Sequence, residues 1–249
     1  MIRGVLLFCF NTSDIQYHRI ADRCVRLIQK NLKLPVTVVT DQNTHSAWQD
    51  PPAINFVFKD HERGNKKNSK DWHNLDRCYA YDLSPYDTTL LIDTDYFCYT
   101  DNLLQYIESD CEFLIHDAIH DLTNNNFYDF RENSVITMLW ATVIVFKKTT
   151  MSKHIFDMVK YIKQHYQYFC SLYRIDFRNF RNDYAFSIAL HQLSGFNKKY
   201  FIPAKLNTLP DRASVLSFND CGLVFKFKDM VAEIQDQDVH VLNKEIVDV

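Results

Sequence analysis

Two aspartates one residue apart, Asp93 and Asp95, sit in the run Leu90–Thr100 (LLIDTDYFCYT), where an apolar stretch gives way to an acidic pair and then to aromatics. The apolar stretch reads as a buried strand. In an extended chain the side chains at i and i+2 point the same way, so both carboxylates can reach one hard cation, Mn2+ or Mg2+, directly or through water. Such a cation often shares its oxygen ligands with a phosphate, and a diphosphate bound there would depart with its charge neutralised. The plain alternative is a pair of strand-end aspartates that cap loops. Their place after a fully apolar strand favours the metal.

The elements that must position this pair follow from periodicity. Gly4–Phe10, Leu34–Asp41, Ile54–Asp60 and Thr88–Asp95 read as strands, and Ile15–Leu32 and Trp72–Leu83 as helices. Strands alternating with helices imply a mostly parallel sheet with helices on its faces, and ligands in such sheets sit at the carboxyl ends of strands. Asn11, Asp41, Asp60 and the Asp93/Asp95 pair all fall at those ends. Further along, Cys111–Asp117 and Thr137–Lys148 read as strands, and Ser152–Phe169 and Arg181–Leu193 as helices; KYFIPAKLN and GLVFKF add strands. With no repeat and no linker, the expected organisation is one domain over 1–249. Residues 1–110 would be its nucleotide-side half and 111–249 a more variable half.

Composition narrows the class. The chain has 249 residues, 47% of them apolar, enough to bury a large core, and its four glycines and six prolines exclude a low-complexity chain. A net charge of −3 gives no bulk attraction to nucleic acid or to an anionic membrane, which leaves only local basic patches for such partners. The seven cysteines form no CxxC pair, and the apolar run at the amino terminus is too short to span a bilayer. Reduced thiols in a cytoplasmic protein are the expectation.

The stretch LDRCYAYDLSPYDTTLLIDTDYFCYTDNLLQY resembles the donor-binding region of GT-A-type nucleotide-sugar glycosyltransferases, glycogenin-like ones in particular. The likeness implies an α/β, Rossmann-type mixed sheet and a UDP-sugar donor held through a metal. It implies that Asp93 and Asp95 hold metal and donor, that Arg77 faces the donor, and that Phe10, Asn11 and Asp41 line a uridine pocket where Tyr17 would stack on the base. FRNDYAFSIAL resembles the segment whose Asp faces the reacting sugar, which makes Asp183 the catalytic candidate, as a hydroxyl contact or as a general base. DVHVLNK resembles the carboxyl-terminal segment that completes the metal shell, with His240 as ligand and Lys244 on phosphate. Two departures stand out: Trp140-Ala141-Thr142 replaces the usual Asn-Ser-Gly, and the spacing from His240 to Lys244 is short. The size also resembles compact phage and viral members, some of which modify DNA bases. Arg63, Lys66, Lys67 and Lys70, with Lys198, Lys199 and Lys205, could then meet nucleic acid.

Other readings compete. A haloacid-dehalogenase-type phosphatase also carries Asp-x-Asp after a strand, but normally on its first one. A glycosyltransferase-like shell could bind a sugar nucleotide without turnover. His116 and His120 would share a helix face if HDAIHD were helical, yet the Glu of a zinc-protease motif is missing.

Overall fold

The computed structural model describes residues 2–67, 70–124, 135–175, 179–195 and 197–245. Most of the polar stretch LTNNNFYDFRENS, 122–134, which reads as a loop in the sequence, lies outside them.

A seven-stranded sheet carries the fold. In chain order its members are β1 (Arg3–Phe8), β2 (Val36–Thr40), β3 (Asn55–Phe58), β6 (Thr88–Ile92), β8 (Phe113–His116), β10 (Trp140–Lys147) and β11 (Phe201–Ile202). The intervening β4 (Lys66–Lys67) and β5 (Lys70–Asp71) form a separate two-residue ribbon, and β7 (Tyr96–Phe97) and β9 (Ile119–Asp121) belong to another sheet. The spatial order is β11-β8-β10-β6-β1-β2-β3, and β10 alone runs antiparallel to its neighbours. Every residue of β2 and β6 is buried, as the continuous apolar and threonine runs require of central strands. In β1, Gly4 admits the Tyr86 ring, whose atoms would lie 2.3 Å from any Cβ added there.

Helices cover both faces. α1 (Tyr17–Leu27) buries Ile20, Ala21, Cys24 and Val25 on the sheet and runs on into a π-helical turn, Ile28–Leu32. α5 (Thr150–Gln164) starts at Thr149, whose hydroxyl accepts the Ser152 N–H, and packs Phe156 against Phe146 and against Phe186 of α7 (Asn182–Ser194). A second sheet, β7-β16-β12-β9, brings in β12 (Leu206–Leu209) and β16 (Val239–Val241). A meander of β13 (Ser214–Phe218), β14 (Gly222–Phe227) and β15 (Met230–Gln235) completes the described chain.

Several sequence expectations are corrected. The helix expected at Trp72–Leu83 is a 3-10 turn, Leu75–Tyr79, followed by the short α3 (Ala80–Leu83). Trp72 and Asn74 are held outside it by bonds between the Trp72 N–H and Asn65 O and between Asn74 Nδ2 and Phe180 O. Ser152–Phe169 is not one helix either. It breaks at His165, and α6 (Tyr166–Leu172) follows, with Tyr166 buried and its hydroxyl accepting the Arg181 N–H. Tertiary packing makes that break, because neither proline nor glycine is present to signal it. α2 (Gln42–Ala47) was not expected; its start is the Asp41 carboxylate accepting the Thr44 N–H at 2.7 Å. HDAIHD is not helical, in line with the strand expected at Cys111–Asp117. His116 ends β8 and His120 lies in β9, in different sheets, so the two do not share a face.

Candidate functional site

β6 stops at Ile92, three residues short of the Asp95 that an extended Asp-x-Asp would include. The pair lies instead in the turn into β7, closed by the Tyr96 N–H on Asp93 O at 3.1 Å. The carboxylates converge all the same, because β7 pairs with β16 and the Val241 N–H is donated to Asp95 O. That pairing delivers His240 to the acidic turn. One ligand atom from each of Asp93, Asp95 and His240 lies within 4.8 Å of the others. His240 Nε2 is 3.6 Å from Asp95 Oδ1, which is buried and accepts no hydrogen bond among the described residues. A buried carboxylate oxygen without a donor is costly unless a cation or a ligand satisfies it. Two hard oxygens and an imidazole suit Mn2+ or Mg2+.

Two basic side chains flank the group. Arg77, 5% exposed, is ion-paired with Asp93 Oδ1, and its Nη2 donates to Ala141 O and to Thr142 O at 3.1 Å. Burial lowers its pKa from the ordinary value, against which Asp93 and Asp183 pull it up. The tight 3-10 turn, which runs on into α3, brings this guanidinium to Asp93 at the strand end. Lys244 is ion-paired with Asp95 Oδ2 and also donates to Val241 O at 2.7 Å.

These residues form the floor of a cleft of about 270 Å³ at the carboxyl ends of the central strands. Phe10, Tyr17, Arg77, Asp183 and Lys244 line it as well. Tyr17 opens α1, and burial, reinforced by Asp93, pushes its phenol up to about 12. Asp183 stands in the first turn of α7 with both oxygens engaged. Oδ1 accepts the Ala141 N–H at 2.9 Å, and Oδ2 accepts Arg181 Nε at 3.2 Å and Nη2 at 2.8 Å.

Asn11 and Asp41 are absent from the cleft lining and face a neighbouring polar pocket. The Asn11 side chain is engaged with His18, and its N–H is donated to Thr44 Oγ1 at 2.8 Å. Asp41 caps α2 and pairs with His61 Nδ1 at 2.8 Å. Burial pushes its carboxyl up, but the Thr44 and His61 hydrogen bonds outweigh this and hold it below the usual range. The His61 ring stacks on His73, with centroids 3.8 Å apart, and His73 lines both the cleft and the polar pocket. Neither histidine, nor Arg181, was singled out from sequence. Each lies in a polar stretch with no spacing motif, and only the capping pattern Asp41-x-x-Thr44 hints at this cluster.

The remaining candidates stay apart. His116 Nδ1 donates to Ala204 O, and His120 Nδ1 lies 3.2 Å from Asn207 Oδ1; neither joins a potential metal group among the described residues. Arg63 and Lys66 follow β3 at one edge of the main sheet, whereas Lys198, Lys199 and Lys205 flank β11 at the other, so they do not form one basic stripe. The side chains of Lys67 and Lys70 lie outside the description. No helix among the described residues is long and apolar enough to cross a membrane.

The sheet, the acidic turn after its central strand and the antiparallel β10 define the class as the GT-A fold of glycosyltransferases. Among solved structures, the chain is similar to the galactosyltransferase LgtC in complex with donor and acceptor sugar analogues. That alignment spans 75% of this chain and 70% of that one, at 13% identity and a TM-score of 0.51. An active-site mutant of LgtC aligns over 75% and 69%, at 12% identity and a TM-score of 0.53. Mouse xyloside xylosyltransferase 1, in its apo form, aligns over 81% and 84%, at 9% identity and a TM-score of 0.50. Identities this low establish the fold, which does not favour the phosphatase alternative. No protein-family model matches the sequence, and no curated protein sequence matches it.

Proposed function

We propose that the protein is a metal-dependent glycosyltransferase that moves a sugar from a nucleotide-sugar, a UDP-sugar, to a hydroxyl acceptor. The observation that carries this reading is the convergence of Asp93, Asp95 and His240 within 4.8 Å on the floor of a strand-end cleft. A Mn2+ or Mg2+ ion on these ligands would neutralise the charge of the departing nucleoside diphosphate. Arg77 and Lys244 add fixed positive charge beside the same group, where it helps the leaving phosphate most.

Phe10 and Tyr17 offer the aromatic walls for the base. Asn11 and Asp41 act from behind: Asn11 fixes the start of α1 through His18, and Asp41 orients His61 and, through the ring stack, His73. Asp183, bound on one oxygen by a backbone amide and on the other by Arg181, suits orienting a sugar hydroxyl better than taking a proton. An acceptor glycan or modified nucleic-acid base both supply the hydroxyl; binding to DNA that weakens steeply with salt would select the latter.

The test is Asp95→Asn. It keeps the shape and removes the charge, so Mn2+-dependent hydrolysis or transfer of a UDP-sugar should vanish. Full activity in this variant would reject the site. A wild-type protein that binds UDP-sugar with Mn2+ yet turns over no donor would select the inert-binder alternative.

A further inference from the structure

Position 142 joins the acidic turn, the buried arginine and the carboxyl-terminal histidine. Because β10 runs antiparallel to β6, with Val143 opposite Ile92, Thr142 falls level with Asp93. Its carbonyl accepts the Asp93 N–H at 3.0 Å and Arg77 Nη2 at 3.1 Å. Its side chain, 3% exposed, points the other way, and Oγ1 lies 3.4 Å from His240 Nδ1. The opposite ring nitrogen, Nε2, is the one that faces Asp95 Oδ1.

We infer that Thr142 is a positioning residue for the metal ligand His240. The inference rests on the metal reading proposed above. An imidazole that ligates through Nε2 carries its hydrogen on Nδ1, and that hydrogen needs an acceptor. The Thr142 hydroxyl stands in reach of this atom and closes on it by a few tenths of an ångström when the ring tightens onto a ligand. A hydroxyl is both donor and acceptor, so it serves the ring in either tautomer. The β pairing of His240 with Tyr96 and Thr208 fixes the histidine backbone, and the Thr142 hydroxyl is a contact made by the ring itself, on the nitrogen opposite Asp95. The Trp-Ala-Thr sequence at this strand entry therefore has a use of its own: its third residue supplies the hydroxyl.

The test compares Thr142→Val, which keeps the shape and loses the hydroxyl, with Thr142→Ser, which keeps the hydroxyl. Mn2+ affinity is measured by electron paramagnetic resonance titration on folded protein, with circular dichroism melts as the check on folding. Thr142→Val should bind Mn2+ about 10- to 100-fold more weakly, and Thr142→Ser within about threefold of wild type. Nitrogen-15 shifts of His240 in the Mg2+-loaded wild type should place the hydrogen on Nδ1; this readout stands even if the valine variant does not fold. Wild-type-like affinity in Thr142→Val, an equal loss in Thr142→Ser, or a hydrogen on Nε2 would each overturn the inference. If wild type and Asp95→Asn give the same Mn2+ titration, the metal reading fails, and this inference with it.

Discussion

Lys244 makes the sharpest prediction because it holds an atom that the metal reading also needs. Its ammonium is paired with Asp95 Oδ2, and the two side chains are 17% and 8% exposed. Contact charges at an effective dielectric near 20 attract by roughly 4 kcal/mol, most of which desolvation of the pair cancels. A net of about 1–2 kcal/mol is therefore what a cation must displace to use that carboxylate. In Lys244→Met, which keeps the apolar stem, Mn2+ should bind without nucleotide about 5- to 30-fold more tightly than in wild type. UDP should respond the other way. At saturating Mn2+ it loses a charged hydrogen bond worth about 1.5–3 kcal/mol, so its affinity falls by about 10- to 100-fold. Isothermal titration of Mn2+ alone, and then of UDP at saturating Mn2+, measures both. If Lys244→Met binds free Mn2+ no better than wild type, the lysine does not compete for the ligand. If UDP affinity is unchanged, the assignment to phosphate falls.

Arg77→Met should cost about 1–3 kcal/mol in urea unfolding, because the buried Ala141 and Thr142 carbonyls lose a donor while Asp93, 38% exposed, can turn to water; Arg77→Lys should recover little of it. Asp183→Asn should lower kcat by about 10- to 100-fold while the pH–rate profile keeps its shape, whereas loss of the acidic limb would mark Asp183 as a general base. His116 gives a stability test. Burial, opposed in part by its bond to Ala204 O, lowers its pKa to about 4 from the ordinary 6.5. A histidine depressed in the folded state contributes fully above pH ~6.5 and loses that contribution as pH falls toward ~4, up to about 3 kcal/mol in all. Unfolding free energies from pH 7 to 4.5 should therefore decline more steeply in wild type than in His116→Gln, and parallel curves would contradict this.

The sheet was legible because burial on both faces leaves its mark on composition. Gly4–Phe10 is apolar throughout and Thr88–Ile92 is a β-branched and leucine run; β1 lies in the first apart from Arg3, and β6 is the second. The place of Asp93 and Asp95 at the end of a central strand was legible for the same reason, since they follow the buried run directly. The exact end of β6 was not, because the residue that breaks the strand is itself one of the acids. The role expected of Asp41 was read too directly: a carboxylate at a strand end and a helix cap look alike in sequence, and Thr44 three residues on was the sign of the second. The His61–His73 stack, and the placing of the Arg181–Asp183 segment beside it, depend on loops joined through Asn65, Asn74 and Asn182, contacts that no local period encodes. The break at His165 was invisible because no proline or glycine lies near it in the sequence.

The account stands on one shared point in space for two carboxylates and an imidazole. Crystals of the protein grown with Mn2+ and UDP, with anomalous scattering collected at the manganese edge, test it most directly. The account predicts a single strong peak about 2.0–2.3 Å from oxygens of Asp93 and Asp95 and from His240 Nε2, with the diphosphate on its open side and Lys244 turned away from Asp95. A map with no peak there, and with Asp93 and Asp95 still paired to Arg77 and Lys244 while UDP binds elsewhere, would contradict it.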